Sequence, residues 1–128
     1  MNPTRLPAAG ALVDEVAGPC RHDRHEPIPS PAYTARQLEV AAGMCHALSD
    51  PSRLRLLLWL TRGEMCVSEL VELEQAKLGS ISARLQTLHA ARLVSQRREA
   101  KHVFYALADE HVHDLLDSIL SHAAESAG

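Results

Sequence analysis

The sequence predicts a mainly α-helical domain closed by one small β-hairpin, and three observations predict it. From Tyr33 to Glu125, apolar residues recur at three- and four-residue steps in successive stretches, the period of amphipathic helices. Two short runs, Leu93 to Arg97 and His102 to Leu107, alternate instead, which is the period of strands. Six of the seven prolines (Pro3, Pro7, Pro19, Pro27, Pro29, Pro31) fall in residues 1–32, where no periodicity is sustained. That segment reads as a flexible arm, and residues 33–128 as the folded domain.

Composition sets the outer bounds. At 128 residues, 46% hydrophobic and 23% charged, the chain has the mass for one domain with a core, and 3% aromatics make that core aliphatic. No apolar run reaches membrane-spanning length, and the early LPAAGALV is broken by Asp14 and Glu15, so neither a membrane partner nor a signal peptide is expected. The expected location is cytoplasmic. Cys20, Cys45 and Cys66 are odd in number and lack CxxC spacing, which favours thiolate ligation or burial over a disulfide framework. A net charge of −3 does not by itself propose nucleic acid, so charge has to be read locally.

In chain order, Cys20-Arg21-His22-Asp23-Arg24-His25 places a thiol, two imidazoles and a carboxylate in one short part of the arm, a clip for a thiophilic metal if a fixed ligand waits elsewhere. Tyr33 to Leu48 repeats Leu38, Ala41, Ala42, Cys45 and Leu48 at helical steps, which puts Cys45 on the core side as a small buried hydrophobe. Asp50-Pro51 then starts a helix, with Asp50 at the cap and Pro51 where a missing N–H costs nothing; Leu54, Leu57, Leu58 and Trp59 are its core candidates. Gly63 ends it, and a short helix begins in Glu64-Met65-Cys66-Val67-Ser68-Glu69-Leu70, with Cys66 and Glu69 three apart. After a turn near Gln75 and Ala76, Gly79-Ser80 opens a helix to about Ala91, with Ile81, Leu85 and Leu88 inward and Ser82, Arg84, Gln86 and His89 outward.

Two short helices joined by a tight turn, followed by a hairpin linked through Arg98-Glu99-Ala100-Lys101, make a winged helix-turn-helix. Between Ala76 and His102 stand Lys77, Arg84, Arg92, Arg97, Arg98 and Lys101 against Glu99 alone, so this acidic chain has one basic face. The expected partner is double-stranded operator DNA. Ser80, Ser82, Arg84 and Gln86 would meet the major groove, and Arg97, Arg98 and Lys101 would bind phosphate from the wing.

The last helix carries the metal chemistry. In ADEHVHDLLDSILSHAAE, Val112, Leu115, Leu116, Ile119 and Ala123 form an apolar seam, and Asp109 is an N-cap whose carboxylate can lie beside His111. His122 and Glu125, three apart, share a face and make a second pair, while His111 and His122, eleven apart, are close to three turns from one another. Eleven residues of helix span roughly 16 Å, so one helix cannot close all four ligands on one ion. Two copies packed antiparallel about a two-fold axis bring Asp109 and His111 of one protomer to His122 and Glu125 of the other, with the seam as the homodimer interface.

Over about Leu38 to Glu125 the chain resembles the ArsR–SmtB metal-sensing repressors. The resemblance rests on HALSDPSRLRLLLWL, EMCVSEL, LHAARLV, HVFYAL and, above all, Asp109-x-His111-x10-His122-x2-Glu125, similar to that family's fifth-helix zinc pattern. It implies a dimeric winged-helix repressor that leaves its operator when Zn(II), or a related ion such as Cd(II), Pb(II) or Co(II), is bound. It also implies that His122 relays the change to backbone near the end of the recognition helix, around Arg92. By the same resemblance Cys66, with Glu69, is similar to a second metal site that Cys20 and His22 or His25 of the arm complete. Three departures stand out: Ser82-Ala83-Arg84-Leu85 replaces the usual Ser-His-Gln-Leu, Ala100 stands for a wing glycine, and Ser68 stands for a second cysteine.

Readings from other classes make different demands. A zinc enzyme would be betrayed by turnover, but the chain has no HExxH, nucleophile elbow or phosphate loop. A thiol-based redox regulator using Cys20 and Cys66 would release DNA with peroxide and not with metal. A metal buffer has no use for the basic helix and wing.

Overall fold

The computed structural model describes residues 26–30 and 32–127. In chain order the elements are α1 (Ala35–Ala47), α2 (Pro51–Leu60), β1 (Met65–Cys66), α3 (Val67–Glu74), α4 (Leu78–Ala90), β2 (Val94–Glu99), β3 (His102–Leu107) and α5 (Glu110–Ala127). The three strands form one antiparallel sheet in the order β1-β3-β2. Five helices with a small sheet, and β2-β3 as a wing after the α3-α4 pair, are the predicted winged helix-turn-helix.

Local chemistry sets the element ends. Thr34 caps α1 and exchanges hydrogen bonds with Gln37 in both directions. Asp50 accepts from the Ser52 hydroxyl and from the Arg53 amide at 3.0 Å, with Pro51 in the first turn of α2. Arg53 then reaches back, its Nε donating to the Ala47 carbonyl at 2.7 Å, and so ties the end of α1 to the start of α2. Gln75, at φ 50°, takes the left-handed backbone of the turn between α3 and α4. Strand pairing runs through Glu99↔His102, so the wing turns on Ala100 and Lys101 alone, and Ala100 at φ 55° fills a place where glycine is the unstrained residue.

Leu56, Leu57, Leu70, Ile81, Leu85, Leu88, Leu93 and Leu116 are the fully buried side chains, an aliphatic core drawn from every helix except α1. Tyr105 from β3 is buried beside them, its hydroxyl accepting from Gln96 Nε2 at 2.7 Å and its ring edge-on to His89 of α4. Recognition helix and wing are thereby joined through the core.

Several expectations about this core are corrected. Cys45 is exposed, as are Leu38, Ala41 and Ala42, because α1 packs on the protomer only through its last turn, at Met44, Ala47 and Leu48. Leu58 is also largely exposed; in the run Leu56-Leu57-Leu58 the phase is fixed by Leu60, which places Leu56 inside. The segment before α3 is not helical: Met65 and Cys66 pair with Tyr105 and Phe104 as the third strand, and helix begins only at Val67. The recognition helix begins at Leu78, one residue earlier than Gly79-Ser80.

One ionic contact predicts how acid acts. Burial pushes the Glu74 carboxyl up, but hydrogen bonds from Trp59 Nε1 (2.8 Å) and Arg55 Nε (2.9 Å), with the charges of Arg55 and Arg84, outweigh it and hold it below its ordinary 4.5. Asp50, through Ser52 and then Arg53, and Glu64, through Arg97, are depressed as well. A carboxyl whose pKa is lower folded than unfolded gives stability that is present above the unfolded value and lost as pH falls through the folded one. Stability should therefore decline below about pH 4.5. Fluorescence of Trp59, the single tryptophan, should report it, and Glu74→Gln should flatten that part of the acid limb. A limb unchanged in the variant would remove Glu74 from the account.

Candidate DNA interface and metal ligands

The DNA candidates lie on two neighbouring elements. On α4, Ile81, Leu85 and Leu88 face inward with no exposed surface. Ser80 and Gln86 are exposed, and Ser82 and Arg84 are half-buried. Arg84 is near enough for its charge to be felt at Glu74. On the wing, Arg98 and Lys101 are exposed on either side of the turn. Arg97 is held differently: its Nε and Nη2 donate to Glu64 at 3.0 and 2.7 Å, its Nη1 to Glu99 at 2.8 Å, and its guanidinium lies 4.5 Å from the Phe104 ring. Those carboxylates, Glu64 first, push its pKa further above the ordinary value. Arg97 is thus a brace between the wing and the α2–β1 loop. The contact with Glu64 went unnoticed in the sequence because nothing local links positions 33 residues apart.

On α5, Asp109 caps the helix by accepting from the Val112 amide at 3.2 Å, and its Oδ1 is 3.5 Å from His111 Nδ1. That pair is assembled within one protomer, and 96% of the His111 side chain is exposed and available to a ligand. His122 and Glu125 are exposed toward the other end of the same helix, and the protomer does not bring them to Asp109 and His111. An imidazole–carboxylate pair at this cap fits one half of an N/O site for zinc or cobalt.

The apolar seam proves to be two stripes. Val112 and Leu116 are buried against the protomer, with Leu120 packed beside them, whereas Leu115 and Ile119 are 40% and 42% exposed. At about 100° per residue, Leu115 lies within roughly 40° of His111 and His122, so the metal candidates border the open stripe.

Cys66 is half-buried, with Sγ 3.1 Å from Ser68 Oγ, and its amide donates to Glu69 Oε1 at 2.9 Å. Glu69 therefore already serves as a cap on α3. Cys20, His22 and His25 lie outside the described residues. Glu110, His113 and Asp114, which the sequence reading passed over, have ligand atoms within 4.8 Å of one another. They sit exposed in the first turns of α5, and exposed acidic groups of this kind are common without an ion. No helix among the described residues is long and apolar enough to cross a membrane.

Comparison with known proteins gives consistent matches. Residues 50–96 match the family model described as bacterial regulatory protein, arsR family. A transcriptional repressor SmtB homolog from Synechocystis is 40% identical over 90 residues, covering 70% of this chain and 68% of that protein. The HTH-type transcriptional repressor SmtB of Mycobacterium tuberculosis is 38% identical over 119 residues, covering 89% and 87%. Among solved structures, the homodimeric winged helix-turn-helix DNA-binding domain of Mb0332 from Mycobacterium bovis superposes with a TM-score of 0.69 at 31% identity, covering 77% of this chain and 91% of that one.

Proposed function

The chain belongs to the arsR family of bacterial regulatory proteins, and on that premise we propose that it is a metal-responsive repressor. It binds an inverted-repeat operator as a homodimer and leaves it when Zn(II) or a related ion is bound. The family is one of DNA-binding regulators, not enzymes. The observation that carries the metal reading is the Asp109–His111 pair, formed at the cap of a helix whose open stripe lies beside it.

Asp109 and His111 of one protomer, with His122 and Glu125 of the partner, hold the ion, since roughly 16 Å of helix separates the two pairs in one chain. Bound there, zinc supplies a fixed cross-link between α5 helices. A softer second site uses Cys66 and Glu69, with Cys20 and His22 or His25 from the arm of residues 1–32, and suits Cd(II) or Pb(II). On DNA, Ser80, Ser82, Arg84 and Gln86 of α4 face the major groove, and Arg98 and Lys101 contact phosphate. Arg97 joins them only by exchanging Glu64 for a phosphate oxygen, so its main work is to hold the wing in place.

Metal favours release because it binds better to a dimer shape that fits DNA poorly, and a ligand shifts an equilibrium only by that difference. His122 passes the change toward the end of α4, where Arg92 has left-handed backbone at φ 65°. The test is a gel shift on the intergenic region upstream of the gene, with and without Zn(II), Co(II), Cd(II) and Pb(II). Metal should lower DNA affinity, and operator DNA should lower metal affinity by the same factor. Release by peroxide but not by any metal would replace this reading with the thiol-based one.

A further inference from the structure

Between the recognition helix and the wing the protomer leaves an open groove of about 250 Å³. Three segments wall it: Cys66 and Ser68 at the start of α3, Leu78 and Ser82 in the first turns of α4, and Lys101 and His102 where the wing turns back into β3. Two hydroxyls, an ammonium and an imidazole thus surround a space with no carboxylate on its lining. In an acidic protein that is a local choice of sign. The groove at the start of α5, by contrast, has three carboxylates on its lining, Glu64, Asp109 and Glu110, beside Arg62 and His113.

We infer that the groove at Ser68, Ser82, Lys101 and His102 seats one backbone phosphate of the operator in each half-site, an inference that rests on the repressor reading above. With α4 in the major groove and the wing outside it, the sugar–phosphate strand bordering that groove has to pass between the two elements. Serine hydroxyls, lysine and histidine N–H groups all donate to phosphate oxygens. Ser68 and His102 thereby become DNA contacts that no motif announced.

The same geometry gives Cys66 a direct role. Its Sγ, 3.1 Å from Ser68 Oγ, opens on the phosphate seat, so an ion or adduct held by the thiol occupies the place of the phosphate. DNA and a Cys66 ligand exclude one another in one groove, without a change of dimer shape.

The experiment uses the full-length dimer and a duplex that it selects from a random library. In phosphate-ethylation interference, one phosphate per half-site should weaken wild-type binding when ethylated, and His102→Ala and Ser68→Ala should each cost about tenfold in affinity while erasing that interference. In a Cys20→Ser/Cys45→Ser background, the same duplex should slow alkylation of Cys66 by iodoacetamide, and the alkylated protein should not bind. If ethylation interference persists unchanged in both variants, or Cys66 reacts equally fast with and without DNA, the seat is overturned while the repressor reading stands. Failure of the wild type to select any duplex would overturn both.

Discussion

His122→Ala and His111→Ala are each expected to abolish high-affinity metal binding at α5, while His113→Ala leaves it intact. The loss should exceed the roughly 10–100-fold that removing a supporting partner of a metal ligand costs, because an ion-contacting nitrogen is gone. His113 is the demanding control. It sits two residues from His111, is also exposed, and has Asp114 3.8 Å away, so any unspecific affinity of surface histidines for zinc would appear there too. Isothermal titration with Zn(II) and Co(II), beside the gel shift, reads the outcome: the His111 and His122 variants should still bind operator DNA and no longer release it with metal. Equal losses in all three variants would sink the α5 assignment.

The elements that carry function were legible where local chemistry decides them. Asp50-Pro51 announced the start of α2, the Ile81, Leu85 and Leu88 spacing fixed the inward face of α4, and alternation from His102 to Leu107 gave a strand. β1 was not legible, because two residues carry no period; only the partner strand, 40 positions away at Met65↔Tyr105, makes them a strand. Cys45 was misread for a related reason. Helical spacing identifies an apolar face, and it does not say whether that face meets the protomer's own core or something else.

The same limit explains the candidate site. Asp109 and His111 could be paired from the sequence because a cap residue and the second helical residue are neighbours, and the structure has them 3.5 Å apart. The bracing of Arg97 by Glu64, and the meeting of Cys66, Ser82 and His102 around one groove, depend on chain returns that no spacing encodes. A count of basic residues therefore overstates what the wing offers to DNA. One of its three cations is already engaged with two carboxylates.

Dividing the α5 seam into two stripes leads to the second large effect. Leu116 is 1% exposed and belongs to the protomer core, so Leu116→Ala should destabilise the fold itself by about 2–5 kcal/mol. Leu115 and Ile119, at 40% and 42% exposure, do little for the protomer, so charge there should be tolerated by the fold and rejected by an apolar dimer interface. Leu115→Glu combined with Ile119→Glu should then give a folded monomer with nearly wild-type thermal unfolding at low protein concentration. By sedimentation it should stay monomeric at concentrations where the wild type is dimeric. On the proposed arrangement, in which each α5 site draws ligands from two protomers, the monomer should lose metal affinity with all four ligands still in its sequence. It should also lose most operator affinity, since one half-site is all it can hold. A monomer that still bound zinc tightly at Asp109, His111, His122 and Glu125 would contradict the interchain geometry, and a dimer that survived both glutamates would place the interface elsewhere.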